Sequence, residues 1–317
     1  MKKEIQKLQK LIVICGPTAS GKTSWSLKLA QKYDGEIISA DSRQIYKKMD
    51  IGTAKEKGEW RTINARKTFY IEEIPHHLMD FLDPGKNFTV AEFRDKAVKY
   101  AKLAHYKGNI PFIVGGTGLY IHSVVDNLNI PRVPPNKKLR ESLETKANEE
   151  LMVWLKKLDP VTAKTVDPNN NRRIIRALEV CILSGKPFSA QQQKGEPIFD
   201  ILQIAIDQPR EVLYDRINKR VDEQIKSGLL KEIKNLLKQK YSWDLPSMSG
   251  IGYRQFKDYF EGTMSLEQAI ENLKKANRNY AKRQITWFKR DPRIHWVKNF
   301  EEADNLILNF LEDGNKK

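Results

Sequence analysis

The sequence predicts an α/β fold in which a three-layer core surrounds a mainly parallel sheet and is interrupted by an inserted helical domain. Three observations predict it. Short β-branched apolar runs alternate with helical periodicity up to about residue 119, they vanish between about 120 and 199, and they resume at Ile201.

Residues 11–15 (LIVIC) are apolar throughout, as a strand buried on both faces must be. A glycine-rich turn follows, and then TSWSLKLAQKY with helical character. EIISA (36–40) is the second strand, IPFIVGG (110–116) the third and ILQIAI (201–206) the fourth, while IHWV (294–297) is a late edge strand. Helical patterns and the Pro-rich joint PRVPP (131–135) fill the gap, placing domains at 1–119 with 200–317, and at 120–199. From Arg210 to about Arg290 the chain is again helical and very basic. No internal repeat stands out.

Composition narrows the function. Hydrophobic residues make up 40% of the 317, enough for a buried core and too many for disorder. No apolar run reaches the roughly 18 residues of a membrane-spanning helix, and MKKEIQKLQK is too polar for a signal peptide. A cytoplasmic protein is expected. Cys15 and Cys181 are the only cysteines, so neither a disulfide framework nor a C-x-x-C metal or redox pair is available. Lys+Arg 56 against Asp+Glu 40 leaves a net charge of +16, which attracts polyanions, nucleic acid ahead of an anionic membrane.

The strongest motif is Gly16-Pro17-Thr18-Ala19-Ser20-Gly21-Lys22-Thr23, a complete G-x-x-x-x-G-K-[ST] between strand and helix. Its glycines let successive N–H groups turn inward, and the helix N-terminus adds partial positive charge. Lys22 can reach terminal phosphates, and the Thr23 hydroxyl suits Mg²⁺. The core is therefore P-loop NTPase-like. The loop specifies a polyphosphate, and a diphosphate ester satisfies it as well as ATP.

Chemistry in such folds gathers where the strands end. Asp41-Ser42-Arg43-Gln44 follows the second strand, and Asp41 is a metal ligand, a general base or a simple cap. Gly115-Gly116-Thr117-Gly118 ends the third strand and brings a hydroxyl to the same rim. His76 and His77 are adjacent, point in different directions, and read as structural or supporting. On a helical wheel Ile174, Ile175, Leu178, Cys181 and Ile182 share one face, and Arg172, Arg173 and Arg176 the other, either an anion-binding face or a solvated one. Lys274, Arg278 and Lys282 repeat every four residues beside Lys275 and Arg283, a repulsion that an external polyanion would relieve. Tyr280 and Trp287 read as the buried stripe of that helix, and Arg216 and Arg220 form a further i, i+4 pair.

With these residues in view, the chain resembles the bacterial tRNA dimethylallyltransferases. The matching stretches are GPTASGKT (16–23), DSRQIYKKMDIGTAK (41–55), PHHLMD (75–80), FIVGGTGLY (112–120), RRIIRALEV (172–180), GIGYRQ (250–255) and YAKRQITWF (280–288). They span nearly the whole chain in one order. Glu56 stands where the family usually has Pro, and Asn277 where it usually has Thr, neither at a position assigned to chemistry. The extra zinc finger of eukaryotic relatives is absent, in keeping with the two cysteines.

The resemblance implies transfer of a dimethylallyl group from dimethylallyl diphosphate to N6 of the adenosine 3′ of the anticodon, with Mg²⁺ as cofactor. It implies that the phosphate loop holds the diphosphate, that Asp41 is the base, and that Thr117 lies at the reacting end. Lys22 and Arg220 would meet the diphosphate. The tRNA anticodon stem-loop would contact Asp41, Ser42, Arg43, Gln44, Thr117 and Arg140. Further contacts would come from Arg172, Arg173, Ile174, Ile175 and Arg176, from Ser249, Gly250, Ile251, Gly252, Tyr253 and Arg254, and from Lys282 and Arg283. A monomer is the default expectation, with no membrane partner. A P-loop kinase for a small molecule and an adenylate prenyltransferase explain the phosphate loop but not the basic clusters. A non-catalytic RNA-binding protein leaves Lys22, Thr23 and Asp41 without a purpose.

Overall fold

The computed structural model describes residues 8–63, 65–191 and 193–313. The chain divides into two compact units, one of residues up to Ile121 with those from Ile198, the other His122–Pro197. In chain order the first unit begins with β1 (Lys10–Cys15), α1 (Lys22–Lys32), β2 (Gly35–Ser39), β3 (Glu59–Ile63), β4 (Arg66–Ile71) and β5 (Ile74–His77). α2 (Val90–Tyr106) and β6 (Ile110–Val114) follow, and α3 (Gly118–Val125) runs across the division at Ile121. The second unit holds α4 (Lys137–Glu144), α5 (Asn148–Leu158), α6 (Pro160–Thr165), α7 (Asn171–Ser184) and α8 (Phe188–Gln191). The first resumes with β7 (Asp200–Ile206), α9 (Arg210–Lys226), α10 (Leu229–Lys238), α11 (Lys257–Phe260), α12 (Leu266–Phe288), β8 (Ile294–Val297) and α13 (Phe300–Glu312).

The sheet runs β3-β4-β5-β2-β6-β1-β7-β8. β5, β2, β6, β1, β7 and β8 are parallel, with Ile12 opposite Phe112 and Leu202, and β8 lies at an edge as expected. Strands alternate their faces. Ile12, Ile14, Ile37, Phe112 and Ile204 therefore meet Leu29, Ala30, Ala303 and Ile307 of α1 and α13 in one buried cluster. The intervening Val13, Ile38 and Ile113 point to the other face, where α2 packs on β2 and β6. α2 begins at a full capping box, Thr89 with Glu92, which satisfies two otherwise unpaired N–H groups. β3, β4 and β5 were not expected. They extend the sheet through two antiparallel pairings, Trp60 opposite Phe69 and Phe69 opposite His76.

A second cluster joins α9, α10 and α12 through Val221, Leu229, Ile233, Leu236, Ala269 and Leu273, and it includes Ile45, Tyr46 and Met49. The smaller unit packs Leu143, Leu151, Leu155, Ile174, Ile175 and Leu178 into its own core. α7 starts at the Asn170 cap and ends at Gly185, whose φ of 67° suits a residue without Cβ. Its wheel differs from expectation at one position: Ile182 is exposed, because α7 buries seven consecutive-turn positions only as far as Cys181.

Candidate active site

β1 delivers the chain to the phosphate loop at Cys15, and α1 starts at Lys22. The turn between them needs positive φ at Gly16 (131°), Ala19 (63°) and Gly21 (95°), which explains the glycines. At the end of β6, Gly115 and Gly116 answer a different need. A Cβ on Gly115 would sit 2.3 Å from the Ala40 carbonyl oxygen, and one on Gly116 2.1 Å from the Gln284 amide nitrogen. That close approach carries Thr117 to the end of β2, where its Oγ1 accepts the Ser42 N–H at 3.1 Å.

Asp41 lies just beyond β2. Its Oδ1 accepts the N–H groups of Arg43 at 2.7 Å and Gln44 at 3.3 Å, while Oδ2 makes no hydrogen bond among the described residues. The cap therefore fixes the carboxylate and leaves one oxygen for other work. Two cavities meet here. The first, about 420 Å³, is lined by Thr18–Thr23 of the phosphate loop, by Ile37, Ser39 and Asp41, by His76 and Val114, and by Arg216, Arg220, Tyr280 and Gln284. The second, about 250 Å³, shares Thr18, Asp41, Arg220 and Tyr280 but adds Ser42, Arg43, Ser249, Ile251, Arg254 and Arg283. One is built for phosphates, the other is walled by arginines, and the free oxygen of Asp41 stands at their junction.

The charges are set by burial. Loss of water lowers the Lys22 ammonium to about 8, partly offset by Asp41, and its Nζ donates to the Pro17 carbonyl. Burial likewise lowers Arg220 from its ordinary value, and its guanidinium donates to Thr18 Oγ1 at 2.7 Å while Nε has no partner among the described residues. Ser20 Oγ is also buried without one. Cationic and polar donors short of partners are what an incoming polyanion would satisfy. For Mg²⁺, the donor at hand is the Thr23 hydroxyl on the cavity wall, and no cluster of three or more His, Cys, Asp or Glu exists among the described residues. That set fits a cation held mainly by substrate phosphates and water, the usual manner for Mg²⁺.

The structure thus brings together Gly16 through Thr23, Asp41, Thr117 and Arg220. Other expectations need correction. Ile174 and Ile175 are 0% and 4% exposed in the smaller unit's core, so their side chains cannot meet RNA. Tyr253 is 1% exposed, donates to Glu232 at 2.8 Å and packs where Gly52 lacks a Cβ. Gly250 and Gly252 are buried beside it, leaving Ser249, Ile251 and Arg254 on the cavity. Arg140 and Arg176 both grip the buried carboxylate of Glu179, and Arg176 also donates to the Val133 carbonyl at 2.9 Å. Their charge is largely spent inside, whereas Arg172 and Arg173 are exposed. On α12, Lys274 pairs with Asp222 at 2.7 Å and Arg278 with Glu271 at 2.8 Å, so internal carboxylates relieve the expected repulsion.

Tyr280 is not simple packing, for it lines both cavities, and burial pushes its phenol up to about 12. Glu56 and Asn277, set aside in the sequence, line the first and second cavity respectively. Gln284 was missed: its Oε1 accepts the Thr18 N–H at 2.8 Å and its amide donates to the Gly116 carbonyl at 2.8 Å, tying the phosphate loop to β6. A glutamine directly after the two cations Lys282 and Arg283 was the available signal. His77 is structural as expected, bonding Glu36 at 2.6 Å, but His76 faces the first cavity.

A family model described as IPP transferase matches residues 44–291, and one described as isopentenyl transferase matches residues 9–73. A tRNA dimethylallyltransferase of Thermoanaerobacter sp. is 42% identical over 315 residues, covering 95% of this chain and 97% of its own. One from Roseiflexus castenholzii is 45% identical over 288 residues, covering 90% and 91%. The crystal structure of the full-length tRNA isopentenylpyrophosphate transferase from Bacillus halodurans superposes with a TM-score of 0.67 at 40% identity, covering 96% of each chain. A eukaryotic dimethylallyltransferase acting on tRNA gives a TM-score of 0.76 at 29% identity over 96% of this chain and 78% of that one. With phosphate loop, Asp41 and basic wall in one order along nearly its whole length, the chain belongs to the tRNA dimethylallyltransferases of the IPP transferase family.

Proposed function

We propose that the protein transfers a dimethylallyl group from dimethylallyl diphosphate to N6 of the adenosine 3′ of the anticodon in tRNA, releasing diphosphate. The observation that carries this reading is the junction of a phosphate-lined and an arginine-lined cavity at Asp41. A kinase needs only the first cavity.

The chemistry follows from what each group can do. An exocyclic adenine amine is a poor nucleophile because its lone pair is delocalised into the ring. Asp41 Oδ2 accepts its proton as the new N–C bond forms, while the Arg43 and Gln44 N–H groups hold the carboxylate in place. Charge then grows on the departing diphosphate. Lys22, Arg220 and the loop N–H groups neutralise it where it appears. Mg²⁺, held through Thr23 and the diphosphate, supplies further charge neutralisation when bound. The adenine must leave its stack to reach Asp41, at a cost of a few kcal/mol, and an unpaired anticodon-loop base makes that cost smallest. Arg43, Arg254 and Arg283 line its entry. The unit His122–Pro197 adds Arg172 and Arg173 as tRNA contacts. The enzyme acts as a cytoplasmic monomer.

The test mixes protein, Mg²⁺ and labelled dimethylallyl diphosphate with an anticodon stem-loop RNA, and separately with AMP. Label entering the RNA alone supports the reading. Label entering AMP would replace it with an adenylate transferase, and ATP consumption without prenyl transfer would replace it with a kinase.

A further inference from the structure

The first cavity continues inward beyond the groups that the transfer requires. Asp41 just beyond β2, then Ser39 and Ile37 within it, line the cavity in succession, as alternate residues of a strand share a face. In the parallel register Ile37 lies opposite His76, and Ser39 opposite Val114. Ile37, Met79 and Val114 make this part of the wall apolar, beside the polar Ser26, Ser39 and His76.

His76 is 3% exposed and its Nδ1 lies 2.9 Å from the Ile74 carbonyl oxygen. A carbonyl only accepts, so Nδ1 carries the proton, and the neutral ring presents a bare lone pair at Nε2. Nε2 has no hydrogen bond among the described residues. Burial also lowers the imidazole to about 4, which keeps it neutral at physiological pH. Neighbouring His77 faces the other way and bonds Glu36 through its Nε2. An acceptor with no protein partner among the described residues, on a side chain that lines a substrate cavity, selects for a ligand that brings a donor. A plain dimethylallyl tail brings none.

We propose that His76, assisted by the Ser39 hydroxyl, makes the donor cavity competent for a hydroxylated five-carbon allylic diphosphate, whose terminal hydroxyl donates to His76 Nε2. This rests on the transferase reading. The reaction is otherwise unchanged: the C1–O bond breaks with its electron pair leaving on diphosphate, the N6–C1 bond forms, and the N6 proton passes to Asp41. No oxidant is needed, since the donor already carries its hydroxyl.

The test runs the full chain with Mg²⁺ and an anticodon stem-loop RNA. It compares dimethylallyl diphosphate with the same compound bearing a hydroxyl on one terminal methyl. The native protein should use the hydroxylated donor with kcat/KM within tenfold of the plain one, adding one more oxygen to the RNA by mass. His76→Phe should lower the ratio of hydroxylated to plain kcat/KM at least tenfold, and His76→Gln, which restores a polar group, should recover part of it. Plain transfer with the hydroxylated donor more than tenfold worse in the native protein overturns the inference alone, whether or not the variants fold. An unchanged ratio in His76→Phe also overturns it. Transfer of neither donor removes the transferase reading as well.

Discussion

At the scale of single residues, the site separates holding from reacting. Asp41 holds the loop N–H groups with Oδ1 and leaves Oδ2 without a hydrogen bond among the described residues, which suits it to the role of base proposed above. Asp41→Asn retains an oxygen for the cap but cannot take a proton. Prenyl transfer should fall by about 10² to 10⁴, the usual worth of a general base, while RNA affinity stays within about threefold. Single-turnover transfer and RNA titration together check this, and near-native turnover would remove Asp41 as the base. Lys22 carries a pH signature. Only its charged form attracts diphosphate, and burial has lowered its pKa to about 8. Bound anion pulls that pKa back up, so affinity should be steady below about 8 and weaken as pH rises through it, at most about tenfold per unit. Diphosphate titrations from neutral to alkaline pH should show the break in the native protein and lose it in Lys22→Arg. A break shared by both would assign it to another group.

At the scale of elements, α7 shows how a helix face can mislead. Its sequence offers three arginines with one glutamate nearby, and a wheel places the arginines together. What the wheel cannot show is that Glu179 is buried, because the partner that buries it, Arg140, comes from α4 far earlier in the chain. The arginines lower the Glu179 carboxyl to about 2, overcoming the upward push of desolvation. Glu179→Gln should therefore destabilise the smaller unit by about 2 kcal/mol. That is less than a fully buried pair would cost, because Arg140 and Arg176 are 34% and 32% exposed and can turn to water. Folded Glu179 titrates below its ordinary 4.5, so its contribution is complete above that value and is lost as pH falls towards 2. Denaturant midpoints of native and Glu179→Gln should converge across that window, and a constant difference would place the stabilisation elsewhere. The strands show the same lesson. β1, β2, β6 and β7 were legible because central parallel strands must be apolar throughout. β3 reads EWRTI and is largely exposed, β4 opens with Arg66-Lys67, and β5 contains Pro75, so none of the three carries that signature. The phosphate loop was legible because its chemistry is local. Gln284 was not, because its role depends on Thr18 and Gly116 meeting across the fold.

At the scale of the whole molecule, a net charge of +16 invites the conclusion that every cation serves RNA. The structure divides them instead. Lys274 and Arg278 are held by Asp222 and Glu271, while Arg254 and Arg283 line the second cavity beside Asp41 with no carboxylate partner among the described residues. Salt dependence tells the two groups apart, because only a cation that neutralises a phosphate releases a counterion. On a single strand each such contact adds about 0.7 to the slope of log affinity against log salt. Arg254→Ala with Arg283→Ala should therefore reduce that slope for an anticodon stem-loop by about 1.4, with affinity falling most at low salt. Lys274→Ala with Arg278→Ala should leave the slope as it was and show its effect in thermal stability, since it strips α12 of internal pairs. Binding curves at four or five salt concentrations check both. The reverse pattern would place the RNA along the N-terminal half of α12 and away from the cavity at Asp41, and the base could then not reach its proton acceptor.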